Sequence, residues 1–156
     1  SKLVHVSMPV VESVGDYAFY SCDSLRSVSL DARDFGDSVF SQCAQLRVVA
    51  LPRARAASAQ IFNYCTQLES VSMPVATRVC VKAFYECESL TAVSLPVAES
   101  VERYAYCGCS NLETVSLPRL EIVEGNAFKR CARLSRDKIF APDHVKNTLP
   151  ASFPFP

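Results

Sequence analysis

The sequence predicts an α/β solenoid, a stack of short repeats with parallel strands on one face and compact helical turns on the other. Three observations carry this reading. A leucine-led phrase recurs as LVHVSMP from Leu3, LRSVSLD from Leu25, LRVVALP from Leu46, LESVSMP from Leu68, LTAVSLP from Leu90 and LETVSLP from Leu112, and Leu134 stands where the next copy is due. The intervals are 22, 21, 22, 22, 22 and 22 residues, inside the range that stacked-repeat architectures use. In phase with it runs a second phrase: AFYSC ending at Cys22, VFSQC at Cys43, IFNYC at Cys65, AFYEC at Cys87, AYCGC at Cys109 and AFKRC at Cys131. One such unit cannot bury its own apolar face, so the copies must stack and share a core.

Each unit opens with a strand. In Leu90-Thr91-Ala92-Val93-Ser94-Leu95 the Val-x-Leu alternation is a period-two signal, and valine suits a pleated surface. Because every copy runs in the same direction, the strands pair in parallel at about 4.8 Å, and six of them make a ribbon on the order of 30 Å long. Proline follows in five copies, at Pro9, Pro52, Pro74, Pro96 and Pro118, with Asp31 in its place in the second. Lacking an amide proton, proline ends the ladder and turns the chain out of the sheet.

A lone apolar residue comes next, as in Val14, Val79, Val101 and Val123, and then the compact segment exemplified by Asp16–Cys22. Phe19 and Cys22 are three apart, which puts both on one side of a short helical turn. Repeated along the stack, Phe19, Phe40, Phe62, Phe84, Tyr106 and Phe128 form an aromatic spine. Full burial contributes roughly 1.5–3 kcal/mol per phenylalanine. The spine lacks interleaved lysine and arginine, so it reads as core and not as a base-stacking stripe. Six of the eight cysteines fall at one equivalent position, three residues before each leucine. A single column is the mark of a small, weakly polar core residue, whereas disulfide frameworks use varied positions. Cys80 and Cys107 lie outside the column, at different phases of different repeats.

The pattern LxxVxLP, a lone valine and AFxxC before the next leucine resembles the BspA-type leucine-rich repeat family, over positions 3–134. The resemblance implies a right-handed superhelix with a parallel concave β-sheet and short helical turns on the convex side. It also implies a surface or secreted protein that binds host proteins, matrix or other cells, with no catalytic residues. Residues 1–134 read as the leucine-rich-repeat solenoid of six repeats, and 135–156 as a degenerate C-terminal cap and Pro-rich tail.

Composition narrows the function. Sixteen basic and sixteen acidic residues cancel, so neither nucleic acid nor an anionic membrane is a partner implied by overall charge. No run approaches 18 apolar residues, so no membrane insertion is expected. There is no phosphate-cradling glycine loop, no GxSxG and no HExxH, and no histidine lies near a candidate nucleophile. With no CxxC pair, and His5 and His144 at opposite ends, zinc is not indicated. The expectation is a non-enzymatic module that needs no cofactor. Ser1-Lys2 opens directly onto a repeat without an initiator methionine, which reads as a piece of a longer protein.

Between the buried strand positions the concave face carries His5 and Ser7, Ser27 and Ser29, Val48 and Ala50, Ser70 and Ser72, Ala92 and Ser94, Thr114 and Ser116. This smooth surface of small side chains admits close approach, and it equally suits a tightly curved sheet with no ligand. Beyond the strand ends, Arg33, Arg53, Arg55 and Arg78 come from repeats two to four, while Glu12, Glu99 and Glu121 occupy the outer copies. Stacking would gather the arginines into a patch, and their planar forks favour carboxylate, phosphate or sulfate. An acidic protein loop or an anionic glycan is the partner this predicts; cross-repeat ion pairing is the plainer alternative.

After Leu134 the pattern stops. A cap would place Ile139 and Phe140 over the last unit, while the closing Phe-Pro alternation could extend as polyproline II. At the other end the strand at Leu3–Met8 presents an edge, so monomer and edge-to-edge dimer are both open. The adhesion reading has an alternative in an intracellular scaffold. Free thiols and the lack of an Asn-x-Ser/Thr sequon favour that alternative.

Overall fold

The computed structural model describes residues 3–149. Longer and shorter strands alternate along the chain: β1 (His5–Met8), β2 (Ser13–Val14), β3 (Ser27–Leu30), β4 (Asp34–Phe35), β5 (Val48–Ala50), β6 (Ala56–Ala57), β7 (Ser70–Ser72) and β8 (Arg78–Val79). They continue as β9 (Ala92–Ser94), β10 (Ser100–Val101), β11 (Thr114–Ser116) and β12 (Ile122–Val123). A 3-10 turn (Arg136–Lys138), β13 (Ile139–Phe140) and α1 (Asp143–Lys146) close the described chain. All pairing is parallel and in repeat register, as in Val28 opposite Val49 and Val49 opposite Val71. The predicted leucine-rich-repeat solenoid is the fold.

The core follows the repeat grammar. Leu25, Leu46, Leu68, Leu90, Leu112 and Leu134 are fully buried. Ring centroids along the spine are 5.4, 5.7, 5.3, 5.0 and 5.4 Å apart from Phe19 through Phe128, with nearly parallel planes at four of the five steps. In the first repeat Leu3 and Met8 are exposed and Phe19 is half-buried, because no described repeat packs on their outer side.

The expected short helical turns take a specific form. Each is a chain of single i→i+3 turns, as in Tyr20 to Tyr17, Cys22 to Phe19 and Leu25 to Cys22. Two residues per repeat hold a positive φ: Tyr17 and Ser21, Ser38 and Gln42, Gln60 and Tyr64, Lys82 and Glu86, Tyr104 and Gly108, Asn126 and Arg130. Such a conformation costs roughly 1–2 kcal/mol for a residue with a Cβ, and it prevents a continuous helix. In exchange, every second amide points along the stack: Tyr17, Phe19 and Ser21 donate to the carbonyls of Asp37, Val39 and Ser41, and Phe84 donates to Ala105. The convex side is therefore tied by its own backbone ladder.

All eight cysteines are free. In the column, the Cys43, Cys65, Cys87, Cys109 and Cys131 thiols donate to the carbonyls of Phe19, Phe40, Phe62, Phe84 and Tyr106 at 3.0–3.2 Å. Each thiol thus bonds back to the spine residue of the repeat before it. The column does more than fill space.

At the C-terminal end, Ile139 is buried but Phe140 is 55% exposed, so the expected pair does not cover the last unit together. Adjacent strand residues point to opposite faces, and β13 can turn only one of them inward. Val145 of α1 and Leu149 supply the rest of the cover. The closing Phe-Pro alternation lies outside the described residues.

Candidate functional site

The sheet face is where backbone geometry departs from the repeat. Its strands form a four-stranded sheet, β1-β3-β5-β7, and a three-stranded one, β9-β11-β13. Within each, amides bond across neighbours, as Leu51 to Ser72 and Leu95 to Ser116. Among the described residues no backbone bond joins β7 to β9, although the two strands are neighbours. Val71 and Val93 consequently stay half-exposed, where the equivalent Val28, Val49 and Val115 are buried.

A hollow of about 440 Å³ sits over this break, lined by Glu69, Ser70, Val71, Ala92, Val93, Ser94, Thr114, Ser116 and Phe140. Its floor is small and partly apolar, and its far end is the exposed Phe140 ring. In β11–β13 register Phe140 lies opposite Ser116, so it stands where the other strands carry serine or alanine. An exposed aromatic side chain at the end of a groove of small residues is the type of group that the sequence reading found missing from the sheet face. Phe140 escaped that reading because the strand carrying it follows the point where the leucine pattern breaks. The only signal was the Ile-Phe pair itself.

The predicted serines divide. Ser70 lines the hollow and Ser72 is exposed beside it on β7, whereas Ser27 and Ser29 lie two strands away on β3. Ser27 shares a 2.6 Å hydrogen bond with His5 Nδ1.

Of the four arginines, Arg33, Arg53 and Arg55 line a second hollow of about 510 Å³ at the sheet margin, and Arg78 is not among its walls. Arg78 pairs in register with Ala56, one place beyond the Arg33–Arg55 column, and its guanidinium lies 3.8 Å from Cys80 Sγ. The margin is charge-balanced: three arginines face Glu12, Asp31 and Asp34. Arg53 reaches Asp31 at 3.3 Å and Arg55 reaches Asp34 at 3.8 Å. Asp31 takes the place of the strand-ending proline one repeat earlier, and so falls directly beside Arg53. These pairs are half-exposed, and each contributes at most about 1 kcal/mol.

The five buried thiols of the column are held protonated. Burial pushes Cys43 up to about 12, against a bond to Cys22, and pushes Cys131 up to about 12 with help from Cys107. Cys65, Cys87 and Cys109 are also raised well above the thiol range by burial. A thiol so held is a poor nucleophile. Among the described residues, no group of three His, Cys, Asp or Glu side chains could hold a metal ion, and no helix is long and apolar enough to cross a membrane.

Parallel strands in strict register, one leucine-led unit per turn and a laddered convex side define a leucine-rich-repeat solenoid. The chain belongs to the BspA type leucine rich repeat family, whose model matches residues 1–96 and 77–154 in six copies. It is similar to a leucine-rich repeat protein of Bacteroides ovatus, at 26% identity and a TM-score of 0.77, over 83% of this chain and 35% of that one. A leucine rich cell surface protein of Faecalibacterium prausnitzii shares the fold at 21% identity and a TM-score of 0.74, over 90% of this chain and 48% of that one. A leucine-rich repeat protein of Eubacterium ventriosum gives 24% identity and a TM-score of 0.73, over 77% of this chain and 34% of that one. The chain thus spans about a third of the length of the first and third of these relatives. No curated protein matches it.

Proposed function

We propose that this chain is a non-enzymatic protein-interaction module that seats a partner on its concave sheet, across β7 to β13, with Phe140 as the anchor. One observation carries the reading: the break between β7 and β9 opens a groove of small side chains that ends on an exposed aromatic ring. Aromatic anchors beside close-packing small residues are what concentrates binding energy at interfaces. In this reading Ser70 and Ser72 border the central contact, and a longer partner extends over β5 toward Ser27 and Ser29. The balanced margin at Arg33, Arg53 and Arg55, and Arg78 beyond it, then acts as a rim that sets register and association rate more than affinity.

We place the module on a surface or secreted protein, engaged in adhesion. The family and the cell surface protein of Faecalibacterium prausnitzii support that placement. Free thiols do not oppose it, because seven of the eight are buried and only Cys22 is half-exposed.

Peptides selected from a displayed random library against the intact chain test the site. Selected binders should lose at least tenfold in affinity for Phe140→Asp and stay within about threefold for the Arg53→Glu/Arg55→Glu pair. Binders indifferent to Phe140→Asp but lost with the arginine pair would transfer the site to the margin.

A further inference from the structure

The convex side carries a further hollow, of about 400 Å³, lined by Lys82, Tyr85, Tyr104, Cys107, Lys129 and Arg130. It arises from repeat geometry. Tyr85, Cys107 and Lys129 occupy the same place in three successive repeats, each 22 residues apart. The middle one is short and buried between two long ones. Successive repeats stand about 4.8 Å apart, so the tyrosine and lysine walls stem from backbones about 10 Å apart. That is room for one sugar ring.

The cations around this notch differ from those paired elsewhere on the stack. Arg47, Arg53, Arg55 and Arg133 all pair with acids across repeats. Lys82 and Lys129 have no carboxylate partner among the described residues; Lys82 lies over the Tyr85 ring at 5.4 Å. The one acid beneath, Glu86, is buried and bonded to Arg130 at 2.6 Å. That bond spans 44 residues and passes over Gly108, where a Cβ would stand 2.5 Å from the Glu86 carboxyl carbon. Lys82, Lys129 and Arg130 line the same hollow as Cys107, where burial and then Glu86 raise the thiol and the three cations act in the opposite sense.

We propose that this convex notch binds an acidic sugar residue, a uronate or a sulfated hexose of a larger glycan. The face of the sugar ring would stack on Tyr85 or Tyr104, and its acid group would sit between Lys82 and Lys129. A bare inorganic anion would use the lysines and leave the aromatic walls idle. A phenyl ring from a peptide would want an apolar enclosure, and this lining is mainly polar and wide open. The site is separate from the sheet face and does not depend on a protein partner there.

The test uses the intact chain with a defined heparin-derived hexasaccharide and a trigalacturonate as probes, maltohexaose as the neutral control, and calorimetry as the readout. At least one acidic probe should bind and the neutral one should not. Lys82→Gln/Lys129→Gln should weaken that binding at least tenfold, and Arg53→Glu/Arg55→Glu should leave it within about threefold. Tyr85→Ala should weaken the saccharide while leaving the weak effect of inorganic sulfate unchanged. Should the lysine pair disturb folding, chemical-shift changes in the wild-type chain must centre on Tyr85, Tyr104 and Lys129. Equal binding of maltohexaose, tighter binding of a sulfotyrosine peptide, a shift map centred elsewhere, or no binding of either acidic probe would each overturn the assignment.

Discussion

Replacing Tyr106 by phenylalanine should make the protein more stable. Tyr106 stands in the spine where the other five repeats carry phenylalanine. It is fully buried and stacked on Phe84 at 5.0 Å and on Phe128 at 5.4 Å. Its hydroxyl has no hydrogen-bond partner among the described residues. Burial first, then the thiols of Cys109, Cys87 and Cys131, raises its ionisation well above the phenol range. A buried polar group left unpaired costs about 1–3 kcal/mol. Deleting the oxygen leaves a void on the order of 10 Å³, worth ~0.2–0.3 kcal/mol at about 24 cal/mol per Å³. Both ring stacks persist. The net expectation is a gain of about 1–2 kcal/mol, or roughly 2–8 °C in melting temperature for a chain of this size. Urea unfolding at constant m-value measures it, with exposed Tyr17→Phe as the control for surface effects. A Tyr106→Phe variant that is less stable than wild type would show that the hydroxyl is satisfied, and that the spine is built around it.

Gly108→Ala should cost about 2–4 kcal/mol, in part by pushing the Glu86 carboxylate off Arg130, and Glu86→Ala should relieve that part alone in a double-mutant cycle. The positive φ of Gly108 supplies part of the cost, roughly 1–2 kcal/mol for a residue with a Cβ, as at the equivalent Ser21, Gln42, Tyr64, Glu86 and Arg130. Because Cys87 donates to the Phe62 carbonyl, Cys87→Ser should cost less than Cys87→Ala in chemical denaturation, the hydroxyl keeping an acceptor. Phe84→Ala should cost about 3–5 kcal/mol and Phe19→Ala clearly less, since Phe19 packs in a half-open first repeat. Above pH 9 the unfolded chain loses thiol protons that the buried column retains, so it binds fewer protons than the native state and stability falls as pH rises. The slope approaches about 1.4 kcal/mol per pH unit for each such thiol, read from denaturation midpoints between pH 8 and 11.

The sequence makes the repeat legible because one position does one job in every copy: the leucines, the spine rings and the thiols are columns before they are contacts. It also separates inward from outward residues on each strand, since that needs only the period of two. What it hides are features that belong to no column. The break between β7 and β9 has no residue signature, because Ser70-Val71-Ser72 and Ala92-Val93-Ser94 read like their neighbours. The left-handed residues of the convex turns range from serine to tyrosine to arginine, so side-chain chemistry gives no cue to them. The arginine margin is foreseeable as a concentration of like residues. Its neutralisation depends on Asp31 and Asp34 falling in cross-repeat register, which becomes plain only once the stack is built.

The missing ladder between β7 and β9 also has a mechanical meaning. On the convex side the same two repeats remain tied, with Phe84 donating to Ala105 and Glu86 to Cys107, and the Glu86–Arg130 bond bridges onward to the next repeat. The convex turns and the β8–β10 pair at the margin are fastened and the sheet between β7 and β9 is not, which is the construction of a hinge. Under tension the solenoid would flex there first, the sheet parting while the convex bonds act as the pivot. A partner seated across both strands would hold the joint closed, so engagement would stiffen the whole rod.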